Sequence, residues 1–591
     1  MAHAITVRSA APVRSRTAAV SVPLAWVDAG VLAALLLAAP LLYAPLLWHN
    51  LPVALGIDER NALDVLLRFH HGTLNPGFFQ YPTLSFYLVY LLVLPLHYSN
   101  TNVLLAGRLL NIELIGVIAF VVYAFCRDRL HSRIAGAIAA VLVLGSTEMA
   151  GIVPVHPDLL MVAAGTASLY FLVDYFETRS RRAWAWGLTL MGVSIGCKYT
   201  AFILFVAYAA TEILASLRQR RTSADQRVAI ARFSRRTCVT ALLALGGALL
   251  LAAWLVPVQP LLAALLRARA VYQPGPGNFY KQAFDHLRRT LAEFGLFSLG
   301  LALLCRYVRD VYESIAIKRL YYGLGVILLV AVACTPYLLI RPAQVVFDVG
   351  SLTRGNIVVL GGHAQWAAYA AWLLRDEGAA ALALGTAGLV LFATRANRRF
   401  HMLLIFVALH LYVLGRSKIG YPRYLLPVVA LLAVGAGWAS VRLWELPAGR
   451  SRSQLVGYLR RGVVVLLVGG ALVQMVDKVA AIRQWARTTD SFFASYTAVK
   501  RATTGTAFYA LYAPAVELEE AGVRTRELSW ESISAGPLGQ HLACGDTLTL
   551  SSSLAQKNHV EVRRDASVDL LLDAPGPGLE AQLVLRKHGC P

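Results

Sequence analysis

Of 591 residues, 57% are hydrophobic and only 15% are charged, and the mean hydropathy is +0.58. Soluble domains are about 25% charged, so a soluble enzyme is excluded. The formal charge of +22 would suit a nucleic-acid binder, but Lys and Arg fall in short clusters between apolar runs and form no basic face, so the excess reads as membrane topology.

Arg8, Arg14 and Arg16 precede an apolar run over about 23–48, too long for a signal-peptide core. It predicts an uncleaved first span with the N-terminus in the cytoplasm. Further spans are predicted at about 103–126, 134–150, 159–177, 183–197, 199–217, 237–258, 291–305, 320–340, 377–393, 400–415, 424–441 and 462–477, thirteen in all. Segment 82–98 is apolar enough to be another. If it crossed, the cluster Arg127, Arg129, Arg133 and every later one would move outside. If it lies along the surface as an interfacial helix, clusters 127–133, 179–182, 218–236, 306–319, 395–399 and 442–461 join the N-terminal arginines inside. The inner segments then hold 28 of the 55 Lys and Arg, the asymmetry that the positive-inside rule expects.

This topology sends four long pieces outward: 49–102, 259–290, 341–376 and the tail. The expected organisation is a transmembrane domain over 1–480 and an extracytoplasmic C-terminal domain over 481–591. Within the tail, strand-like runs at Thr547–Leu550 and Val568–Leu572 and the turn Ala574-Pro575-Gly576-Pro577-Gly578 predict a small soluble α/β unit. The fold class is therefore an all-α polytopic membrane protein with outer-face interfacial helices and a small C-terminal α/β domain. No internal repeat suggests the paired halves of a transporter. Cys126, Cys197, Cys238, Cys305 and Cys334 lie in or beside spans, and no CxxC spacing exists. In the tail, Cys544 and Cys590 either stay as thiols or pair, which would stabilise by roughly 3–4 kcal/mol.

Chemistry-bearing residues gather on the outer side. Asp58 and Glu59 follow the first span; they read either as a helix start before an amphipathic helix over 61–71, or as a general base at the mouth of the bundle. Asp158, behind His156-Pro157, reads either as the head of the next helix or as a second working carboxylate. Arg108, Lys198, Arg416, Lys418 and Arg423 stand at outer span ends. They read as snorkelling cations, or as a cradle for a phosphate at the lipid boundary.

The order of short motifs is informative. Asp58-Glu59 is followed by Tyr81-Pro82-Thr83-Leu84, Ala106-Gly107-Arg108-Leu109-Leu110, His156-Pro157-Asp158, Gly196-Cys197-Lys198-Tyr199-Thr200 and Pro422-Arg423-Tyr424-Leu425-Leu426-Pro427. Over roughly 25–440 this resembles the class C (GT-C) glycosyltransferases that use polyprenyl-phosphate sugars, near the bacterial lipid A aminoarabinose transferases and protein O-mannosyltransferases.

The resemblance implies inverting transfer of a sugar from a polyprenyl-phosphate carrier to an acceptor hydroxyl, on a lipid, glycan or protein, at the outer face of a bacterial cytoplasmic membrane. Asp58, Glu59 and Asp158 would be the catalytic carboxylates. Arg60, Arg108, Lys198, Lys418 and Arg423 would hold the donor phosphate. His156, Tyr81, Tyr199, His363 and Tyr424 would contact substrate, and loop 259–290 would touch the acceptor. Two departures from the family stand out: Tyr81 occupies the position where aminoarabinose transferases carry Lys before Pro, and Arg60 follows the carboxylate pair immediately. A divalent metal ion is left open, with Asp58, Asp158 and His156 as its ligands if one binds. The rivals are another envelope polysaccharide- or lipid-modifying membrane enzyme, disfavoured by the early long outer loop, and, from a different class, a secondary transporter. Against it, the carboxylates concentrate at one mouth, whereas Glu113, Asp174 and Glu212 within spans have no partner in their own helices.

Overall fold

The computed structural model describes residues 22–222, 235–255, 288, 292, 295–296, 298–300, 302–303, 306, 317–341, 344–345, 348–349, 365–394, 400–417, 420–445, 453–488, 491–510, 515–528, 533, 537–551, 567–574 and 582–588. The N-terminal arginines, nearly all of loop 259–290, much of the predicted span 291–305, the cluster 395–399, Pro575–Gly578, His363, Lys418 and Cys590 lie outside these residues.

In chain order, the helices are α1 (Val22–Leu47), α2 (Gly56–His70), α3 (Leu84–Val93), α4 (Asn100–Arg129), α5 (Arg133–Leu144), α6 (Thr147–Ala150), α7 (Asp158–Thr178), α8 (Arg181–Ile195), α9 (Phe202–Thr222), α10 (Arg235–Leu255), α11 (Ile317–Cys334), α12 (Tyr337–Ile340), α13 (Trp366–Trp372), α14 (Ala379–Phe392), α15 (His401–Gly415), α16 (Leu426–Glu445) and α17 (Ser453–Trp485). Among the described residues, five helical segments, lying in α1, α4, α7, α16 and α17, are long and apolar enough to cross a membrane by length and composition. Other helices at expected spans are shorter. α5, α8, α14 and α15 have 12, 15, 14 and 15 residues, and at about 1.5 Å per residue such helices reach 18–23 Å of a roughly 30 Å core. Sequence windows count apolar turn residues that the helices leave out. Segment 82–98 contains only the ten-residue α3, far too short to cross.

α16 is the axis of the bundle. Its apolar window is 89% buried, against 17% in α1 and α17. Its small residues allow this: a Cβ on Gly388 of α14 would stand 2.0 Å from the carbonyl oxygen of Gly435 in α16, and one on Gly437 would stand 2.1 Å from that of Ala135 in α5. Backbones approach that closely only where side chains are absent.

Beside the bundle, α2 buries Ala62, Leu63, Val65, Leu66 and Phe69 against Phe86, Val89 and Val93 of α3, Val103 and Leu104 of α4, and Val155. The spacing of those apolar positions is helical. It sets which face of α2 lies against the bundle.

The C-terminal unit comprises α18 (Ser491–Ala502), β1 (Thr506–Ala510), α19 (Ala515–Glu520), β2 (Arg524–Glu527), β3 (Thr547–Ser551), β4 (Val568–Ala574) and β5 (Gln582–Lys587). The sheet order is β2-β1-β3-β5-β4. β1 is parallel to β2 and β3, and β5 is antiparallel to β3 and β4. One face packs Tyr496, Val499, Ala507, Leu518 and Val584; the other packs Leu538, Leu548, Leu550, Leu583 and Leu585. Cys544 is disulfide-bonded.

Candidate active site

The site begins with three consecutive residues at the head of α2. Successive helical residues point about 100° apart, so Asp58, Glu59 and Arg60 face three different surroundings.

Glu59 points inward and is fully buried with Arg108 of α4. Arg108 Nε donates to Oε1 at 2.9 Å and Nη2 to Oε2 at 2.8 Å. Arg108 Nη1 also donates to the carbonyls of Leu47 and His49 at 3.2 and 2.7 Å, and Glu59 accepts from the amides of Val155 and Leu55. The pair therefore sews the end of α1, the following loop, α4 and the loop before His156 into one block. A bidentate pair with its remaining donors and acceptors satisfied is the form in which a buried charge is tolerated.

Asp58 points to the mouth. Tyr81 donates its hydroxyl to Oδ1 at 3.0 Å, and Arg423 Nη1 donates to Oδ2 at 2.7 Å. His156 Nε2 lies 3.4 Å from Oδ2, and the Asp58 side chain keeps 29% exposure. On the other side of His156, Nδ1 contacts Asp158 Oδ2. Lys198 Nζ donates to Asp158 Oδ1 at 2.5 Å. The imidazole thus stands between two carboxylates, each with its own cation.

Aromatic rings hold the cations from the side. Lys198 Nζ lies 4.8 Å from the centroid of Tyr424 and 5.7 Å from that of Tyr81. The Arg423 guanidinium lies 4.5 Å from Tyr421 and 5.8 Å from Tyr424. Such rings stabilise a cation without neutralising it. Each group sits at an element's end: Asp158 opens α7, Lys198 precedes the turn Tyr199–Ala201, and Arg423 lies in the turn Pro422–Leu425 that leads into α16. An apolar cavity lined by Met161, Val162, Thr166, Ser194, Thr200 and His410 lies behind them. His410 Nε2 donates to the Tyr424 carbonyl at 2.8 Å.

Burial opposes ionisation of Asp58, but His156, Arg423 and the Tyr81 hydroxyl outweigh it and hold the carboxyl well below the usual carboxylate range. Burial, then the Asp58 charge, raises the Tyr81 phenol, so Tyr81 remains a donor. Burial lowers Lys198, against the pull of Asp158.

Of the residues expected from sequence, Asp58, Asp158, His156, Lys198, Arg423, Tyr81 and Tyr424 form one network. Glu59 and Arg108 lie beneath it as a closed pair. Arg60 turns away to Glu517 of the C-terminal unit and to Asp64 at 3.7 Å. The Tyr199 hydroxyl is buried without a hydrogen-bond partner among the described residues. Tyr421 and Glu517 were not expected: Tyr421 adjoins the Pro422-Arg423 motif and was legible, whereas nothing local marks Glu517. Among the described residues, no three His, Cys, Asp or Glu side chains are arranged to hold a metal ion. The carboxylates of Asp58 and Asp158 already face cations, so the residues present do not fit a divalent ion.

Of the acids within predicted spans, Asp174 and Glu212 are paired with cations of their own. Asp174 accepts from Arg129 at 2.8 Å, and Glu212 pairs with Arg179 at 3.2 Å and Arg319 at 2.9 Å.

Residues 99–234, which carry Arg108, His156, Asp158 and Lys198, match the family described as dolichyl-phosphate-mannose-protein mannosyltransferase. No curated protein matches the chain. Among solved structures, ArnT from Cupriavidus metallidurans bound to undecaprenyl phosphate aligns with a TM-score of 0.52 at 11% identity, covering 96% of this chain and 98% of that one. The Archaeoglobus fulgidus oligosaccharyltransferase in the apo form aligns at 0.50 and 12% identity, covering 92% and 69%. Archaeal oligosaccharyltransferase AglB from Archaeoglobus fulgidus, in complex with an inhibitory peptide and a dolichol-phosphate, aligns at 0.50 and 12%, covering 93% and 70%. The chain has the class C glycosyltransferase fold.

Proposed function

We propose that this mouth opens on the outer face of a bacterial cytoplasmic membrane, and that the protein is an inverting glycosyltransferase moving a sugar from a polyprenyl-phosphate carrier to an acceptor hydroxyl. The N-terminus is then cytoplasmic and the C-terminal unit, from about residue 481, extracytoplasmic. The observation that carries the reading is the half-open Asp58 carboxylate paired with Arg423 at 2.7 Å, beside the enclosed Asp158–Lys198 pair, all at helix ends on one side. The structural neighbours support the carrier class, since one is bound to undecaprenyl phosphate and another to a dolichol-phosphate. The basic inner loops support the orientation.

In the resting site the charges of Asp58, Asp158, Lys198 and Arg423 sum to zero. A carrier phosphate brings negative charge and competes with Asp58 for the Arg423 fork, which suits phosphate geometry. Asp58, released from Arg423, becomes a stronger base next to the place where the sugar's first carbon lies. The acceptor hydroxyl oxygen bonds to that carbon from the face opposite the phosphate, and the bond from carbon to phosphate oxygen breaks with inversion. The acceptor proton passes to Asp58, and the electron pair leaves on the phosphate, where Arg423 and Lys198 stabilise it. Asp158 orients Lys198 and His156. Glu59 and Arg108 hold the block in which these groups stand.

The test is incubation of purified protein with a panel of polyprenyl-phosphate sugars and acceptors, following release of polyprenyl phosphate. Turnover of one donor, lost in Asp58→Asn, supports the reading; folded protein that turns over no donor but carries solute into liposomes belongs to the transporter class.

A further inference from the structure

The third residue of the α2 head, Arg60, is held from outside the bundle. Glu517 of α19 has a side chain only 1% exposed, and its Oε2 pairs with Arg60 Nη1. Its other oxygen accepts from the backbone amide of Ala54 at 3.4 Å. Val53, itself 1% exposed, packs with Tyr496, Val499, Leu518 and Val584 in the core of the C-terminal unit. Nearby, His49 Nε2 donates to the Thr488 carbonyl at 2.9 Å. The segment that leads into Asp58 is therefore built into the C-terminal unit as well as into the bundle.

A helix head anchored on one face can still rotate about its axis. Two anchors about 100° apart around that axis leave no such freedom. Glu59 supplies one through Arg108, Arg60 supplies the other through Glu517, and Asp58 stands on the remaining face. We infer that Glu517 is a positioning residue for Asp58, and that the C-terminal unit completes the active site by bracing the first turn of α2. The inference rests on the reading of Asp58 as the working carboxylate, and it assigns Arg60 to the brace and not to the donor phosphate. Displacing a reacting group by about 1 Å can cost on the order of a hundredfold in rate, so a remote brace can govern turnover.

The experiment uses the full chain in nanodiscs, checked for folding by thermal unfolding. It compares wild type with Glu517→Ala, Glu517→Gln and Arg60→Gln; Arg60→Gln leaves the C-terminal unit itself unaltered. Amide hydrogen exchange of the peptide over 53–60 is read beside donor turnover. The expected result is exchange about tenfold faster in Glu517→Ala, the equivalent of one lost hydrogen bond, and less so in Glu517→Gln, which keeps an acceptor for Ala54. Arg60→Gln accelerates exchange similarly, and kcat falls on the order of ten- to a hundredfold with donor KM little changed. Unchanged exchange over 53–60 in Glu517→Ala would overturn the inference. So would an Arg60→Gln protein whose donor KM rises while kcat and exchange stay at wild-type values. Exchange needs no turnover, so if wild type transfers no sugar the proposed reaction fails while the brace is still decided on its own.

Discussion

The Asp58 carboxylate and the Arg423 guanidinium, 365 positions apart in the chain, meet at 2.7 Å. Immediately beneath them Glu59 and Arg108 form a separate, fully buried pair. The division of labour between adjacent carboxylates makes their variants separable.

Asp58→Asn keeps the size and one acceptor oxygen but removes the proposed base. Turnover is expected to fall about 10²–10⁴-fold, with the thermal unfolding midpoint near that of wild type. Arg423→Gln is expected to raise donor KM as well as lower kcat, because in the proposed reaction its fork meets the phosphate before and during sugar transfer. Steady-state kinetics on each variant and on the double variant measures the coupling; if the two groups act as a unit, the double loss is much smaller than the product of the single losses.

Glu59→Gln and Arg108→Met act on stability. Each leaves a buried charge without its partner, which costs about 3–5 kcal/mol, so yields of folded protein and unfolding midpoints should drop sharply. Stable Glu59→Gln protein with selectively lost turnover would move Glu59 into the chemistry.

Helix packing offers a test of the bundle's axis. Gly388→Val places atoms where the Gly435 carbonyl already stands. The expected outcome is a loss of folded protein, whereas Gly469→Ala in α17, with nothing within 4 Å of an added Cβ, should be silent. Yields of monodisperse protein from size-exclusion chromatography compare the two.

Much of the site was legible because its residues sit at the ends of apolar runs. Charges placed there gather at a bundle's mouth, and this brought Asp58, Asp158, Lys198 and Arg423 into one group before any coordinates. Adjacency in sequence does not separate Glu59 and Arg60 from Asp58. On a helix, neighbours diverge by about 100°, and α2 starts at Gly56, five residues before the expected Asn61, so three adjacent charges acquire three destinations. Glu517, 457 positions from Arg60, had no local signal, since a partner across a tertiary contact leaves no mark on spacing. Of the thirteen expected spans, five match helical segments that are long and apolar enough to cross among the described residues; hydropathy windows register apolar turns as well as helices, and α5 and α14 are shorter than their windows.

The central claim is a carboxylate-dependent transfer from a lipid-phosphate donor. Its most direct measurement is polyprenyl-phosphate release from a panel of donors by wild type and Asp58→Asn, beside mass spectrometry of the copurified lipids. The account predicts release from one donor by wild type, inversion at the transferred sugar, and about 10²–10⁴-fold less release by the variant. Release at the wild-type rate by folded Asp58→Asn, or retention of configuration in the product, would contradict it.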